Sequence, residues 1–336
     1  MDSQVSLIGQ SSEFLDAIER ASRAAALNRP VLVIGERGTG KELIAERLHH
    51  LSTRWAGPLV TMNCAALPEN LIDSELFGYE AGAFTGAVKA RAGRFEEADG
   101  GSLFLDEIAT LSAGAQERLL RVIEYGDMTR VGSNRAIRVD VRVIGATNVD
   151  LPALAEAGKF RSDLLDRLSF EVVTLPPLRA RVGDVRVLAE YFGRRMAVEL
   201  GWNGFPGFTP DAWQALEAYH WPGNIRELKN VVERSLYRWE QPQLPCHSLI
   251  LDPFESPYRP QPATEPAIKV KSLPSALAEA RSTAPVDDFR GAVAGYEKEI
   301  LEQALGRCRH NQRATAKALK LSYDQLRHAL RRHDML

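Results

Sequence analysis

The stretch VLVIGERGTGKE at residues 31–42 decides the fold of this chain. Its first four residues are apolar and branched, which is typical of a short buried strand, and a helical pattern follows the glycine-rich segment. Glycines at 35, 38 and 40 allow the loop to turn its backbone N–H groups toward phosphate oxygens, and Lys41 adds a positive charge. A strand, such a loop and a helix in this order predict a nucleotide site. A chance glycine turn is the alternative, which this context disfavours.

The whole loop is expected to surround the phosphates. The expected contacts are Gly35, Glu36, Arg37, Gly38, Thr39, Gly40, Lys41 and Glu42. Position 42 carries Glu where a general phosphate loop has a Ser or Thr hydroxyl on Mg²⁺. This difference favours a Mg²⁺ ion that is held through water.

Two further apolar runs end in polar residues. SLFLDE at 102–107 has the form of a strand followed by carboxylates. We expect Asp106 to hold Mg²⁺ through water and Glu107 to activate the water that attacks ATP. A solvated turn is the alternative for such a pair. The run at 141–147 ends in Thr147 and precedes Asn148, at a strand end where nucleotides bind in open α/β sheets.

The pattern along the chain predicts four segments. Short apolar runs alternate with helical patterns over 1–175, which predicts an α/β fold with a parallel sheet, and helical patterns alone over 176–240 predict a small second domain. The segment 241–288 holds nine of the 18 prolines and is expected to be a semi-extended tether. Helical patterns return over 289–336, so this tail is expected to be a separate module.

Composition excludes several classes of protein. The chain has 26% charged residues and a net charge of −2, and it contains neither an apolar run of membrane-spanning length nor an N-terminal secretion signal. No integral membrane segment and a cytoplasmic location are therefore expected. The three cysteines form no CxxC pair, so neither structural zinc nor a disulfide is expected.

Arg161 and Arg167 lie close together in the sequence FRSDLLDR. Ordinary surface ion pairing is one interpretation. Charge supplied to the γ-phosphate in a neighbouring subunit is the other. The spacing leaves both open.

The hexapeptide GAFTGA at 82–87 places an aromatic and a hydroxyl between small residues, which suits an extended flexible loop tip. Together with SELFG at 74–78 and WPGNIREL at 221–228, it resembles the bacterial enhancer-binding proteins, the AAA+ activators of sigma-54 promoters. The resemblance covers nearly the whole chain. It implies an AAA+ P-loop ATPase with a parallel sheet, a small α-helical lid and a C-terminal Fis-type helix-turn-helix.

The resemblance also implies residue roles. Lys41 belongs to the Walker A motif, and Asp106 and Glu107 belong to Walker B. The other implied roles are a nucleotide-sensing asparagine at Asn63 that acts through Glu107, sensor I at Thr147 and Asn148, sensor II at Arg226, arginine fingers at Arg161 and Arg167, and a sigma-54 contact at Gly82, Ala83, Phe84, Thr85, Gly86 and Ala87. Glu42 is usual in this family.

The tail is basic although the chain is acidic overall. From 306 to 333 it holds eight Lys or Arg against one acid, Asp324, which favours DNA binding over a merely solvated helical bundle. The expected DNA contacts are Arg313, Tyr323, Gln325, Arg327, His328, Arg331 and Arg332. The expected packed residues are Ala314, Ala318, Leu319, Leu321, Leu326 and Leu330.

The resemblance implies a homo-hexameric ATPase that binds upstream enhancer DNA. It is expected to use ATP and Mg²⁺ to convert the closed complex of RNA polymerase and sigma-54 into an open complex, at a phage shock operon. A regulator whose ATP site only controls oligomerisation, and a helicase loader or unfoldase, are the alternatives. The GAFTGA run disfavours both.

Control of the ATPase is expected to come from outside the chain. Only 34 residues precede Gly35, too few for a regulatory domain of ordinary size. Resemblance to the phage shock activators within the family implies an inhibitor similar to PspA. Trp55, in a turn-rich link, is the expected inhibitor contact, and its packing under its own helix is the alternative.

Overall fold

The computed structural model describes residues 7–255, 258–259, 288–308 and 310–335. The chain divides into two compact units, Met1–Glu255 and Ser256–Leu336. None of the described helices is long and apolar enough to cross a membrane.

The first unit is built on a parallel sheet. Its strands are β1 (Val31–Ile34), β2 (Leu59–Asn63), β3 (Ser102–Asp106), β6 (Arg142–Thr147) and β7 (Glu171–Thr174), and a separate antiparallel pair is β4 (Asp127–Thr129) and β5 (Ala136–Arg138). The five parallel strands lie in the order β2-β3-β6-β1-β7. The carboxyl ends of β3, β6 and β1 are therefore adjacent. The three runs that the sequence predicts as strands are these three.

Helices cover both faces of the sheet. They are α1 (Ser12–Ala25), α2 (Lys41–His50), α3 (Glu69–Phe77), α4 (Arg94–Glu97), α5 (Ala113–Tyr125), α6 (Leu151–Glu156) and α7 (Ser162–Leu168). Alternate strand residues point to opposite faces. Leu103 and Leu105 pack into one core cluster, whereas Phe104 joins α1 and α2 in the other. Burial on both faces explains why β1 and residues 103–105 of β3 are continuously apolar.

Three helices form the lid that follows the sheet: α8 (Asp184–Glu199), α9 (Pro210–Ala218) and α10 (Asn224–Tyr237). Trp221 is fully buried among them, and its indole N–H donates to the Leu216 carbonyl at 2.8 Å. The packed region continues past residue 240, where the sequence predicts the tether to begin. Cys246 is buried and forms a β-bridge with Phe208. The predicted tether residues 260–287 lie outside the described residues.

The second unit contains α11 (Phe289–Arg307), α12 (Gln312–Ala318) and α13 (Tyr323–Arg332). Leu326 and Leu330 are buried as predicted, and Leu319 is partly buried. The predictions for Ala314, Ala318 and Leu321 are wrong because all three are exposed. The buried residues of α12 are Thr315 and Ala316. The Asn311 side chain caps α12 by accepting from Ala314 N–H, and the helix packs against α11 and α13 with Thr315 and Ala316 buried.

Candidate nucleotide site and contact surfaces

The phosphate loop connects β1 to α2. Gly38 and Gly40 adopt left-handed backbone conformations, with φ of 78° and 97°, which side chains disfavour. Lys41 is buried, and its Nζ donates to the carbonyls of Gly35 at 3.0 Å and Glu36 at 3.3 Å. Burial lowers the pKa of Lys41, and the Asp106 and Glu107 carboxylates oppose this shift. The ammonium group is thus held inside the loop where a phosphate would bind.

The carboxylates lie at the end of β3. The register of β2 and β3 sets Asn63 beside Asp106, and Asn63 Nδ2 lies 3.5 Å from Asp106 Oδ2. The resemblance implies that Asn63 acts through Glu107, but the described contact is with Asp106 instead. Asp106 supplies carboxylate oxygens, the ligand type that Mg²⁺ prefers. The Thr39 hydroxyl donates to the Glu36 carbonyl at 2.8 Å, so it is used within the loop.

Glu107 has a left-handed backbone, with φ of 53°. In the amide orientation that satisfies both groups, Asn148 Nδ2 donates to Glu107 Oε2 at 2.8 Å and Asn148 Oδ1 accepts from Arg37 Nε at 3.2 Å. Arg37 Nε also lies 3.8 Å from Glu107 Oε1. Thr147 is buried, and its carbonyl accepts from Gly35 N–H at 3.2 Å. The loop is therefore in direct contact with Thr147, Asn148 and Glu107.

A cavity of about 620 Å³ lies between the sheet and the lid. Its polar end includes Lys41, Asp106 and the exposed Arg226. Its apolar lining is Leu7, Ile8, Phe14, Leu188, Phe192 and Ile225. Both the volume and the mixed lining suit a nucleotide. The sequence does not predict the apolar lining because isolated apolar residues form no motif, and only the fold brings them together.

Glu36 does not face the cavity. Its carboxylate accepts from Arg179 Nη1 at 2.8 Å and from Asn224 Nδ2 at 3.0 Å. Hydrogen bonding to Arg179, with a smaller contribution from Asn224, lowers the pKa of Glu36 to about 2. The loop pattern predicts that Glu36 contacts nucleotide. In the described residues its side chain contacts the lid and the segment that leads into it. Glu42 is exposed and lines the cavity.

The two predicted arginine fingers lie on α7, away from the cavity lining. Arg161 is the N-cap residue of this helix and pairs with Asp163 at 2.6 Å, whereas Arg167 pairs with Glu124 at 2.7 Å. Both side chains are exposed. The ion pairs agree with ordinary surface ion pairing. The exposure of both side chains is also compatible with charge supplied to the γ-phosphate in a neighbouring subunit. A role toward another subunit stays a prediction.

The loop at 82–87 is compact, whereas the sequence predicts an extended tip. Gly82 N–H donates to the Ala87 carbonyl at 2.8 Å, and Ala87 is buried. Positive φ at Gly82 and Gly86 permits this tight return. Thr85 is exposed at the tip, and Phe84 is 44% exposed with its ring 5.0 Å from that of Tyr79. The loop thus presents an aromatic and a hydroxyl to solvent.

Arg130 ties this loop to the sheet domain. Its guanidinium donates to Glu80 at 3.1 Å and to Glu96 at 2.7 Å. The Arg130 hydrogen bond is the main cause that lowers the pKa of Glu96. Glu80 N–H also donates to the Val131 carbonyl at 3.1 Å. The base of the loop is therefore fixed while its tip is exposed.

Trp55 lies in the turn between α2 and β2. Its side chain is 66% exposed, which contradicts packing under its own helix. Arg54 holds the turn in place by donating to Asn28 at 2.8 Å and to the Asp140 carbonyl at 2.8 Å. Trp55 is thus an exposed aromatic on an anchored turn.

The second unit presents basic side chains on α12 and α13. All seven predicted DNA contacts, Arg313, Tyr323, Gln325, Arg327, His328, Arg331 and Arg332, are exposed. Three of them also form hydrogen bonds within this unit, and the Tyr323 hydroxyl donates to Gln312 Oε1 at 3.3 Å. Gln325 accepts from Ser322 N–H in the cap of α13, and Arg332 donates to Glu297 at 3.3 Å.

Comparison with protein families gives three matches in chain order. The Sigma-54 interaction domain matches residues 7–174, the AAA+ ATPase lid domain matches residues 179–266, and the bacterial regulatory protein Fis family matches residues 293–333. The lid match extends past residue 240, as does the packed region.

Relatives of known description support the same assignment. The chain is 52% identical over 329 residues to the Psp operon transcriptional activator of Escherichia coli K12, with 98% of each chain covered. It is 40% identical to the anaerobic nitric oxide reductase transcription regulator NorR of Citrobacter koseri, of which it spans 63%. The crystal structure of NtrX from Brucella abortus in complex with ATP is 33% identical, with a TM-score of 0.68 over 97% of this chain and 69% of NtrX. The chain therefore belongs to the sigma-54-dependent transcription activators, ATP-binding AAA+ proteins with a Fis-type DNA-binding domain.

Proposed function

We propose that this protein is a hexameric ATPase that binds enhancer DNA and remodels the closed complex of RNA polymerase and sigma-54 into an open complex. The 52% identity to the Psp operon activator supports a phage shock operon as its target. The observation that carries the proposal is the convergence of Lys41, Asp106, Glu107 and Asn148 at three adjacent strand ends. This arrangement fits hydrolysis better than nucleotide binding alone.

Each polar group at the site has a separate task in hydrolysis. Lys41 neutralises charge on the β- and γ-phosphates, and Asp106 holds the waters of Mg²⁺. Mg²⁺, when bound, stabilises the negative charge that develops on the transferred phosphoryl group. Glu107 accepts a proton from the attacking water, and Asn148 orients its carboxylate through the 2.8 Å hydrogen bond. Asn63 keeps Asp106 in place from the neighbouring strand.

Completion of the site requires a second subunit. The cavity lining contains Arg226 from the lid but neither Arg161 nor Arg167. Both arginines are exposed on α7, where they can reach the γ-phosphate of a neighbour in a ring. Hydrolysis then depends on assembly, which supports a hexamer as the active form.

The exposed loop 82–87 transmits the effect of ATP hydrolysis to sigma-54. Phe84 and Thr85 are accessible at its tip and take no part in the nucleotide site. Arg130 fixes the loop base to α4, so movements of the sheet domain carry the loop with them. The contact with sigma-54 is thus made by residues that perform no nucleotide chemistry.

Enhancer DNA binds the second unit. The basic side chains of α12 and α13 neutralise phosphates, and α13, the last helix of the segment that matches the Fis family, serves as the recognition helix. A PspA-like protein restrains the ATPase by binding Trp55, whose exposure on an anchored turn fits a contact hot spot.

The nucleotide assignment is tested by two substitutions. Lys41→Ala should lose ATP binding, whereas Glu107→Gln should bind ATP as the wild type does and hydrolyse it about a hundredfold more slowly, because only proton transfer is lost. Binding is measured with a fluorescent ATP analogue and turnover by phosphate release. Lys298→Ala, an exposed lysine on α11, is the matched control. Equal ATP affinity in Lys41→Ala and wild type would refute the assignment.

A further inference from the structure

Asn224 connects three parts of the first unit. It is fully buried at the start of α10, and its backbone is left-handed with φ of 53°. Its Oδ1 accepts from Leu178 N–H at 2.8 Å, and its Nδ2 donates to Glu36 Oε2 and to the Arg37 carbonyl, both at 3.0 Å. One side chain therefore joins the lid, the phosphate loop and the segment that leads from β7 into the lid.

Backbone contacts surround this side chain. Ile225 N–H donates to the Gly38 carbonyl at 3.0 Å. A Cβ at Gly38 would lie 2.3 Å from the Gly223 carbonyl oxygen, so the loop and the first turn of α10 are in close contact. Arg226, which lies two residues further along α10, lines the cavity together with Lys41. The attachment of this turn thus determines where Arg226 lies relative to the phosphate loop.

Arg179, which lies in the segment before the lid, contacts the same Glu36 carboxylate. Arg179 donates to both oxygens of Glu36, and both side chains are partly exposed. Glu36 therefore accepts from Arg179 and from Asn224 at once. Among the residues that most readily adopt a left-handed backbone, Gly has no side chain and Asp has no donor, whereas Asn satisfies Leu178, Glu36 and Arg37 together.

We propose that Asn224 is a positioning residue that fastens the lid to the phosphate loop and thereby holds Arg226 at the nucleotide. This role rests on the proposed nucleotide function. Because Asn224 touches neither Glu107 nor Asp106 among the described contacts, its loss should weaken nucleotide binding more than the chemical step. Arg226 loses its fixed position when the first turn of α10 separates from the loop.

The test uses Asn224→Asp in the full chain. Asp keeps the shape and the acceptor for Leu178 N–H, but it sets a carboxylate against Glu36 and against the Arg37 carbonyl. We expect the Kd for fluorescent ATP and ADP analogues to rise about tenfold, with kcat at saturating ATP within about threefold of wild type. Asn230→Asp makes the same change at an exposed position of α10 and should alter neither value.

Rescue separates this role from a general structural one. Glu36→Gln supplies an amide that can donate to the new carboxylate at position 224, so the double variant of Asn224→Asp with Glu36→Gln should recover most of the affinity. Affinity in the double variant no better than in Asn224→Asp alone would overturn the proposal. Wild-type affinity in Asn224→Asp would do the same.

Two further variants keep the test decisive. If gel filtration or thermal unfolding shows that Asn224→Asp does not fold, Arg179→Ala and Glu36→Gln test the same contact, because both change the partly exposed side chains that bind Asn224 or its partner Glu36. Each should raise the Kd about threefold, and unchanged affinity in both would overturn the proposal. Lys41→Ala identifies which idea has failed. If Lys41→Ala still binds ATP, the nucleotide site itself is wrong; if it does not and the Asn224 series binds normally, only the role of Asn224 is wrong.

Discussion

The buried ion pair between Arg181 and Asp184 offers a quantitative test of how the lid is joined to the N-terminal segment. Their side chains are 1% and 0% exposed, and Arg181 Nε donates to Asp184 at 2.7 Å. The Asp184 carboxylate also accepts from Gln10 N–H at 2.7 Å and from the N–H and hydroxyl of Ser11. Arg181 Nη2 donates to the Ile8 carbonyl at 2.9 Å. The pair therefore fixes a segment that lines the nucleotide cavity.

Asp184→Ala should destabilise the protein strongly. It leaves the Arg181 guanidinium buried without its counterion and removes the acceptor of Gln10 and Ser11. Breaking a buried pair in this way costs about 3–5 kcal/mol, against a total stability of roughly 5–15 kcal/mol for a typical domain. Glu190 on the same helix pairs with Arg194 near the surface, so Glu190→Ala should cost only about 0–1 kcal/mol. These two substitutions thus compare a buried pair with an exposed one.

Urea unfolding followed by tryptophan fluorescence measures the difference, because Trp221 is fully buried in the lid. The midpoint should fall markedly for Asp184→Ala and barely for Glu190→Ala. ATP affinity should also fall for Asp184→Ala under conditions where the protein is still folded, since Ile8 lines the cavity. A loss of less than about 1 kcal/mol for Asp184→Ala would refute the reasoning, because it would show that the pair behaves like a surface one.

Four further predictions concern partners. Arg161→Ala or Arg167→Ala should retain ATP binding and lose turnover. Mixing either variant with Lys41→Ala should partly restore phosphate release, because some subunit interfaces then combine an intact nucleotide site with an intact arginine finger. Turnover that persists when both arginines are removed would contradict a site shared between subunits. Thr85→Ala should hydrolyse ATP normally and fail in open-complex formation in vitro, so normal transcription from a sigma-54 promoter would exclude the loop as the contact. Trp55→Ala should fold, hydrolyse ATP and escape a PspA-like inhibitor, and undiminished inhibition would remove it from that interface. DNA binding by the tail, measured by fluorescence anisotropy, should weaken steeply with salt, whereas a salt-independent affinity would mean that its basic residues are only solvated.

Sequence patterns predict that the candidate nucleotide-site residues converge, because each lies beyond the carboxyl end of an apolar run. Glu107 and Asn148 come just after apolar runs, and Lys41 follows one across the loop 35–40; a parallel sheet brings the carboxyl ends of such runs to one edge. No knowledge of the strand order is needed to expect them on that edge. Their hydrogen-bond partners do depend on strand order and register. Asn63 contacts Asp106 because the two are paired across β2 and β3.

The sequence predicts the tail less well, for a reason that concerns helix length. A helix of seven residues, Gln312–Ala318, has only two turns, so its apolar residues fit more than one phase of a 3.6-residue period. Packing against α11 and α13 then decides which residues face inward. Asn311 caps α12, and Thr315 donates its hydroxyl back to the Asn311 carbonyl at 2.9 Å, so a polar residue is buried where the pattern favours alanine.

Asn224 marks the limit of what local sequence can predict. Its run WPGNIREL indicates a helix start, and the resemblance implies a role only for Arg226 within it. The partners of Asn224 lie 46, 187 and 188 residues away along the chain, at Leu178, Arg37 and Glu36. No periodicity or spacing extends over such separations. The left-handed backbone adds a second constraint that sequence does not display, since Asn is tolerated there without being required. Only the folded chain therefore identifies Asn224 as the link between lid and phosphate loop, although it lies two residues from a predicted nucleotide contact.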